Sequence, residues 1–236
     1  MPHPWFLKTI DETASETSTE IHAGLSNEVA QQRLLENGPN ILQAAKKQPI
    51  WLMFVHQLND ALIFVLFGAV AITFFMGEYI DGAIILIVIF INAVLGVFQE
   101  VKAGNAIEAL KKLASPKALV KRNGHQMEVS SEEIVVGDIV VLDAGRYVPA
   151  DLRLVESANL KIDEAALTGE SVPVEKDAKA MIEDEQAPLG DRLNMAYMST
   201  LVTYGRGMGV VVEVANQTEV GKIATIISQE EKVVTP

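Results

Sequence analysis

The chain has 236 residues, with 19 basic against 31 acidic side chains, a formal net charge of −12 and 49% apolar residues. That length accommodates a membrane hairpin plus one soluble domain of ordinary size, while the acidic balance leaves no basic stripe to neutralise nucleic-acid phosphates. Cysteine is absent, which excludes disulfides, thiolate metal sites and cysteine nucleophiles.

In chain order, residues 1–10 hold one lysine and no small-residue cleavage site behind an apolar core, so they do not read as a secretory signal. Trp5-Phe6-Leu7 is a short segment able to pack on a neighbour, and residues 13–20 are polar enough to read as a loop. Ser26 is placed to cap a helix. Glu28 falls in its first turn near the positive dipole end, and Val29, Leu34 and Leu35 give it an apolar face. Gly38-Pro39 stops it.

Lys46 and Lys47 precede a long apolar stretch, residues 50–76, broken by one charge, Asp60. Residues 61–76 fall short of the roughly 20 needed to cross the hydrocarbon core, so the span draws in residues 51–59 at headgroup level. Asp60 then reads either as a carboxylate near the interface or as a polar break that kinks the helix near an ion entrance. Gly77-Glu78-Tyr79-Ile80-Asp81 forms the turn into a second span, residues 82–98, which carries no charge. Two spans so closely joined make an antiparallel hairpin. The turn has two acids and no base, whereas Lys46, Lys47, Lys102, Lys111 and Lys112 lie on the other side, which places both termini in the cytoplasm. Asn92, deep in the second span, reads as an interhelical hydrogen-bond partner in preference to an ion ligand, since one amide without a carboxylate binds cations poorly. Asp60 and Asn92 are the candidates for a transport path. Beyond the span, Val101, Ala106, Ile107, Leu110 and Leu113 recur at helical spacing, so the helix continues into the cytosol as a stalk that Ser115-Pro116 ends.

From Lys117 the period changes. Residues 118–122 and 126–129, joined by Asn123-Gly124, read as a hairpin. Further strands are expected at 139–142, 152–157, 160–163, 198–203 and 208–215, which suggests an antiparallel β-sandwich. Residues 179–192, acidic and containing Pro188 and Gly190, read as an exposed loop, and a last helix opens at Thr218 and runs to about Ser228. Within this region Leu167 leads into Thr168-Gly169-Glu170-Ser171, with Pro173 limiting any regular continuation. Gly169 supplies a positive-φ position at little cost, so the string reads as a tight turn presenting one carboxylate, Glu170. By itself the string is a solvated turn. Asp138 and Asp151 read as turn-capping carboxylates. His3, His22, His56 and His125 are scattered without metal-ligand spacing, and Asn216-Gln217-Thr218 matches the glycosylation pattern inside an expected cytosolic domain, an accidental match.

Three blocks carry a resemblance: Val136-Gly137-Asp138-Ile139-Val140, Val148-Pro149-Ala150-Asp151-Leu152-Arg153, and the run from Leu160-Lys161-Ile162-Asp163-Glu164-Ala165-Ala166 into Leu167-Thr168-Gly169-Glu170-Ser171. In this order, behind two apolar spans, they resemble the actuator domain of a P-type ATPase, and the chain is most similar to the calcium-pump branch. The stretch from Gly24-Leu25-Ser26 to Gly38-Pro39-Asn40-Ile41-Leu42 resembles the N-terminal cytosolic segment of cation pumps. The resemblance implies three parts: an N-terminal cytosolic helical segment (1–48), two transmembrane helices with a stalk (49–114) and an actuator β domain (115–236), the last a distorted jelly roll. The fold class is therefore mixed α and β.

In this family an aspartate takes the phosphoryl group from ATP, and the actuator loop later brings its glutamate to that aspartyl phosphate. Carried over, Glu170 would activate the attacking water, with Thr168, Gly169 and Ser171 shaping the loop. The family's phosphorylation sequence, Asp-Lys-Thr-Gly-Thr, does not occur here, and Gly221-Lys222 is followed by Ile223, so it is no phosphate loop. The resemblance thus implies the front portion of a pump that alone binds no ATP and moves no ion. ATP and Mg²⁺ belong to the complete protein, this segment contributing no cofactor site. The expected partners are the lipid bilayer, the remaining domains of the same pump and a cation, with calcium favoured by overall resemblance although sodium, proton and magnesium pumps share the loop. The expected location is the plasma membrane. A competing reading is a non-enzymatic, membrane-anchored module that docks on a full-length pump or another partner.

Overall fold

The computed structural model describes residues 4–42, 49–113 and 116–230. Lys46, Lys47, Ser115 and His3 lie outside these, as do the side chains of Ile107, Leu110, Lys111, Lys112 and Leu113. The chain divides into two compact units, residues 1–44 together with 115–236, and residues 45–114.

The first unit opens with a 3₁₀ turn at Trp5–Leu7 that buries Phe6. Helix α1 (Ile10–Glu16) follows, where a loop was expected from residue 13 onward. Two local devices make the polar segment helical. Thr9 and Glu12 form a reciprocal capping box, and Thr13 and Thr17 return their hydroxyls to the carbonyls of Thr9 and Thr13, at 2.9 and 2.7 Å. Threonines so satisfied can be buried, and Thr13, Thr17 and Thr19 are. Helix α2 (Asn27–Asn37) starts where expected, with the Ser26 hydroxyl accepting from the Val29 N–H, and ends at Gly38. Its buried face is narrower than the expected one. Ala30 and Leu34 pack with Leu25 and Val135, while Val29 and Leu35 face solvent, because the small Ala30 lets the helix backbone approach closely.

The β region is a seven-stranded antiparallel sheet, β1 (Lys117–Arg122), β2 (His125–Ser130), β3 (Ile139–Asp143), β4 (Asp151–Asp163), β5 (Val174–Glu175), β6 (Met195–Ala196) and β7 (Leu201–Glu213), ordered β2-β1-β3-β7-β4-β5 with β6 also on β4. The β1–β2 turn is the expected one, with Asn123 and Gly124 both at positive φ (50° and 76°). Two pairs of expected strands are merged. Residues 152–157 and 160–163 form one strand, β4, and the glycine-rich gap between 203 and 208 belongs to β7. Those glycines permit the contact: a Cβ on Gly205 would lie 2.1 Å from the Asn159 carbonyl oxygen, and one on Gly207 would lie 2.7 Å from that of Glu156. Register shifts along the β4–β7 pair bend both strands. One apolar cluster collects Val120, Val129, Leu142, Leu154, Ile162, Ala196 and Val202 from opposite ends of the sheet, so the sheet curls round a shared interior in the distorted jelly-roll manner.

Polar side chains sew the N-terminal segment to this sheet. Asn40 donates to the carbonyls of Ser131 and Pro149 and accepts from the Ala215 N–H. Arg33 donates to the carbonyls of Thr17 and Val136. The two aspartates of the motif blocks are structural. Asp138 receives Arg122 in a two-pronged pair at 2.8 and 2.6 Å and also the Val135 N–H. Asp151 accepts from the backbone N–H groups of Met198 and Glu219, the latter opening α7 (Glu219–Glu230).

The second unit contains α3 (Ile50–Leu58), α4 (Ala61–Phe75) and α5 (Tyr79–Leu113). The 35 residues of α5 continue unbroken from the second apolar stretch to Leu113, the single helix expected for a span and its stalk, though it begins inside the expected turn, at Tyr79. Residues 79–106 are long and apolar enough to cross a membrane, and α3 with α4 qualify only as a pair, bent by 70°. Asp60 accounts for the break: its carboxylate accepts the Leu62 N–H at 2.8 Å and caps α4, while Asn59 leaves helical geometry. The polar-break reading of Asp60 therefore describes the backbone. Ile89, Ala93 and Val97, at i, i+4 and i+8, form the buried stripe of α5. Most other apolar side chains of α4 and α5 face outward, as a lipid-facing surface would. Asn92 is exposed and makes no hydrogen bond among the described residues. It stands beside the buried stripe instead of in it.

Candidate functional site

The loop between β4 and β5 is built from the strand upward. Along β4 the inward alternation Leu160, Ile162 continues one step past the strand to Glu164, which is 1% exposed. Asp163 points the other way, and its carboxylate accepts the Ala165 N–H at 3.0 Å. These contacts start the single helical turn α6 (Ala165–Thr168). Leu167 packs against the apolar cluster of Phe6, Ala187, Met195, Tyr197 and Val212 and fastens the turn to the domain.

Gly169 ends the turn at φ 78°, ψ 0°, its N–H reaching the Ala165 carbonyl at 2.9 Å. Nothing lies within 4 Å of where its Cβ would be, so the backbone angle, not space, selects glycine. Thr168 works from both sides. Its hydroxyl donates to the Glu164 carbonyl at 3.1 Å and accepts the Glu170 N–H at 3.2 Å. Gly169, Glu170 and Ser171 are exposed. The Glu170 carboxylate makes no hydrogen bond or ion pair among the described residues. Structure thus brings the four expected residues together: Thr168 and Gly169 set the backbone, Glu170 projects and Ser171 follows it. Asp60 and Asn92 belong to the other unit.

The base of the loop holds a pair that the motif reading passed over. Lys176, just beyond β5, is buried, and its Nζ lies 2.7 Å from Glu164 Oε1, with both side chains wholly enclosed. The Lys176 N–H donates to the Leu160 carbonyl, and Nζ lies 3.5 Å from the Arg192 carbonyl and 5.8 Å from the Tyr197 ring centroid. Neither Glu164 carboxylate oxygen accepts a hydrogen bond, so the contact with Lys176 is an ion pair alone. Burial pushes the Glu164 carboxyl up and the Lys176 ammonium down, and each partner opposes the other's shift. The alternation at residues 160, 162 and 164 was the available signal that a charged side chain points inward.

Nearby, Arg153 is buried among carbonyls. It donates to those of Lys8, Leu154 and Ala178, at 3.1, 2.7 and 3.1 Å, and desolvation lowers its pKa to about 10. Asn194 donates to the carbonyls of Phe6 and Ala180. Among the described residues no group of three or more His, Asp or Glu could hold a metal ion.

The family model of the P-type ATPase actuator domain matches residues 112–228, and that of the cation transporter/ATPase N-terminus matches residues 5–73. The chain belongs to the P-type cation-transporting ATPases. It is 53% identical over 235 residues to calcium-transporting ATPase 1 of Bacillus cereus, covering 98% of this chain and 26% of that protein. Identity is 41% over 220 residues to the calcium-transporting ATPase of Bacillus subtilis, covering 93% and 25%. It is 42% over 231 residues to a sodium/potassium exporting P-type ATPase of Schizosaccharomyces pombe, covering 98% and 22%. The chain spans about a quarter of the length of these relatives. In this P-type ATPase segment the exposed Glu170 loop lies within the actuator match, and the bent α3–α4 pair overlaps the end of the N-terminal match.

Proposed function

We propose that this chain is the actuator-bearing front part of an ATP-driven calcium pump, and that Glu170 activates the water that hydrolyses the pump's aspartyl phosphate. The observation that carries the reading is an unpaired, exposed carboxylate on a turn whose backbone is fixed on both sides. In the step, the water oxygen attacks phosphorus, Glu170 takes a water proton, and the bond between phosphorus and the aspartate oxygen breaks. Inorganic phosphate leaves and the aspartate carboxylate is regenerated. Positioned general-base catalysis of this kind contributes roughly 10²–10⁴-fold, and it completes the second half of a covalent route whose first half is phosphoryl transfer.

Following the family resemblance, ATP and Mg²⁺ are assigned to parts of the pump outside residues 1–236, as are the ligands of the transported cation. Calcium is favoured by the names of the Bacillus relatives. The proposed location is the plasma membrane with both termini in the cytoplasm, which the two acids and absent bases of the α4–α5 turn support. Movement of the β domain would then reach the bilayer through α5.

The test uses Glu170→Gln in the complete pump. The variant should form phosphoenzyme from ATP, and that phosphoenzyme should decay about 10²-fold or more slowly. Failure to phosphorylate at all, or decay at the wild-type rate, overturns the assignment.

A further inference from the structure

We infer that the buried Glu164–Lys176 pair is a positioning element for Glu170, a strap across the base of the loop that sets where the exposed carboxylate stands. The inference rests on the role proposed for Glu170, and three observations lead to it. First, the pair braces the root of the loop. Only two registered residue pairs, Lys161 with Glu175 and Ile162 with Val174, join β4 to β5; Glu164 stands on the loop side of them and Lys176 on the far side, opposite Leu160, so the ion pair crosses this short ladder diagonally and ties the first residue of the loop back to the sheet.

Second, Glu164 is tied to the turn through its own backbone. Its carbonyl accepts the N–H groups of Leu167 and Thr168, at 2.9 and 3.0 Å, and the Thr168 hydroxyl at 3.1 Å. That hydroxyl in turn accepts the Glu170 N–H. A shift of the Glu164 side chain is therefore passed through one residue's backbone and one hydroxyl to the residue that carries the carboxylate.

Third, apolar residues would fill this place more cheaply if packing were its whole purpose. Burying two charges is offset by their attraction only in good geometry, and here neither carboxylate oxygen accepts a hydrogen bond. An ion pair fixes direction and distance, as an apolar contact does not. The pair touches no reacting atom, so it acts through the loop.

The experiment measures phosphoenzyme decay in the complete pump carrying Glu164→Gln, Lys176→Met or both, beside Glu170→Gln and the wild type. Decay is read from phosphoenzyme already formed, so the fraction of folded protein divides out, and thermal stability of each purified variant is recorded in parallel. Each single variant should form phosphoenzyme with an unchanged ATP requirement and decay at least about tenfold more slowly, since a small displacement of a reacting group can cost up to about 10²-fold. The double variant carries no charge at these two positions. It should recover most of the lost stability yet still decay slowly, because the strap is gone. Decay at the wild-type rate in the single variants, or a double variant in which decay recovers together with stability, overturns the positioning role. If Glu170→Gln itself decays at the wild-type rate, the role of Glu170 fails instead, and the two failures are distinct.

Discussion

Replacing Asp138 by Asn should destabilise the actuator domain strongly, and the structure gives the size of the effect. Asp138 is fully buried and accepts three donors: Arg122 Nε at 2.8 Å, Arg122 Nη2 at 2.6 Å and the Val135 N–H at 3.0 Å. The substituted amide would keep the volume but leave the Arg122 guanidinium without a counter-charge. Breaking a buried pair from one side costs about 3–5 kcal/mol. Arg122 keeps a bond to the Glu133 carbonyl and some access to solvent, which places the loss near the lower end, about 3 kcal/mol. For a domain of this size, each kcal/mol moves the midpoint by about 2–4 °C, so a fall of roughly 6–12 °C is expected. The chain has two tryptophans, and Trp5 packs with the β domain while Trp51 starts α3. In a Trp51→Phe background, Trp5 fluorescence in detergent reports this domain's melting alone. Adding Arg122→Met to Asp138→Asn should recover most of the loss, since both charges are then gone. A single-variant shift below about 2 °C, or a double variant no better than the single, would refute the account of the pair.

Gly169→Ala should cost about 1–2 kcal/mol from the left-handed backbone alone, since the new methyl meets nothing, and should slow phosphoenzyme decay in the complete pump; an unchanged decay rate would show that the turn tolerates other geometry. Burial raises the Asp151 carboxyl to about 7 against two backbone N–H donors that favour the charged form. A carboxyl raised in the folded state favours folding while protonated, so its contribution is lost as pH climbs from about 4 to about 7. Between pH 5.5 and 7.5 the loss should be on the order of 2 kcal/mol, read as a falling Trp5 melting midpoint whose slope Asp151→Asn removes. Because the chain has no cysteine, single-cysteine labelling reads topology directly: Glu78→Cys should react with an impermeant reagent applied outside intact cells, and Lys179→Cys only after permeabilisation. Labelling of both from the same side would refute the hairpin orientation.

Local signals in the sequence reached some elements and not others, for physical reasons. Ser26, Asn123-Gly124 and Gly38 each act within a few residues of themselves, so the α2 boundaries and the β1–β2 hairpin could be read directly. The exposed position of the Glu170 turn was equally local, because Gly169 admits a left-handed backbone and Pro173 restricts it wherever they stand. The merged strands β4 and β7 were not readable that way. Their glycines look like breaks until the opposing backbone is in place, and only the partner strand explains why no side chain fits at Gly205 or Gly207. Helix α1 was lost for the reverse reason: threonine-rich polarity suggests a loop unless the Thr9–Glu12 capping box is recognised as a start. Asn92 shows a further limit, since composition fixes depth in a span but not which face of α5 the residue occupies. The Glu164–Lys176 pair was half legible. Alternation along β4 turns Glu164 inward, but its partner lies twelve residues on, across a turn whose path the sequence does not determine.

A loop whose carboxylate must meet a group outside its own domain faces two opposing demands, and the arrangement around Glu170 answers them at different places. In the role proposed for Glu170, the carboxylate must stay unpaired, because its lone pairs would be needed for a visiting water. In solvent that costs little, whereas an unpaired charge in the interior would be expensive. Exposure alone would leave it on a wandering chain, and ordering each residue costs about 1–2 kcal/mol of backbone entropy. The restraint is therefore moved off the carboxylate and onto its neighbours: the Gly169 cap, the Thr168 hydroxyl between Glu164 and Glu170, Leu167 in its apolar socket, and the ion pair at the base. Had the same restraint been supplied by a salt bridge to Glu170 itself, the turn would be equally rigid and the proposed base would be occupied. That reasoning makes the free tip and the tied root two halves of one requirement. It also explains why a charged pair is tolerated beside a core of Val, Leu and Ile.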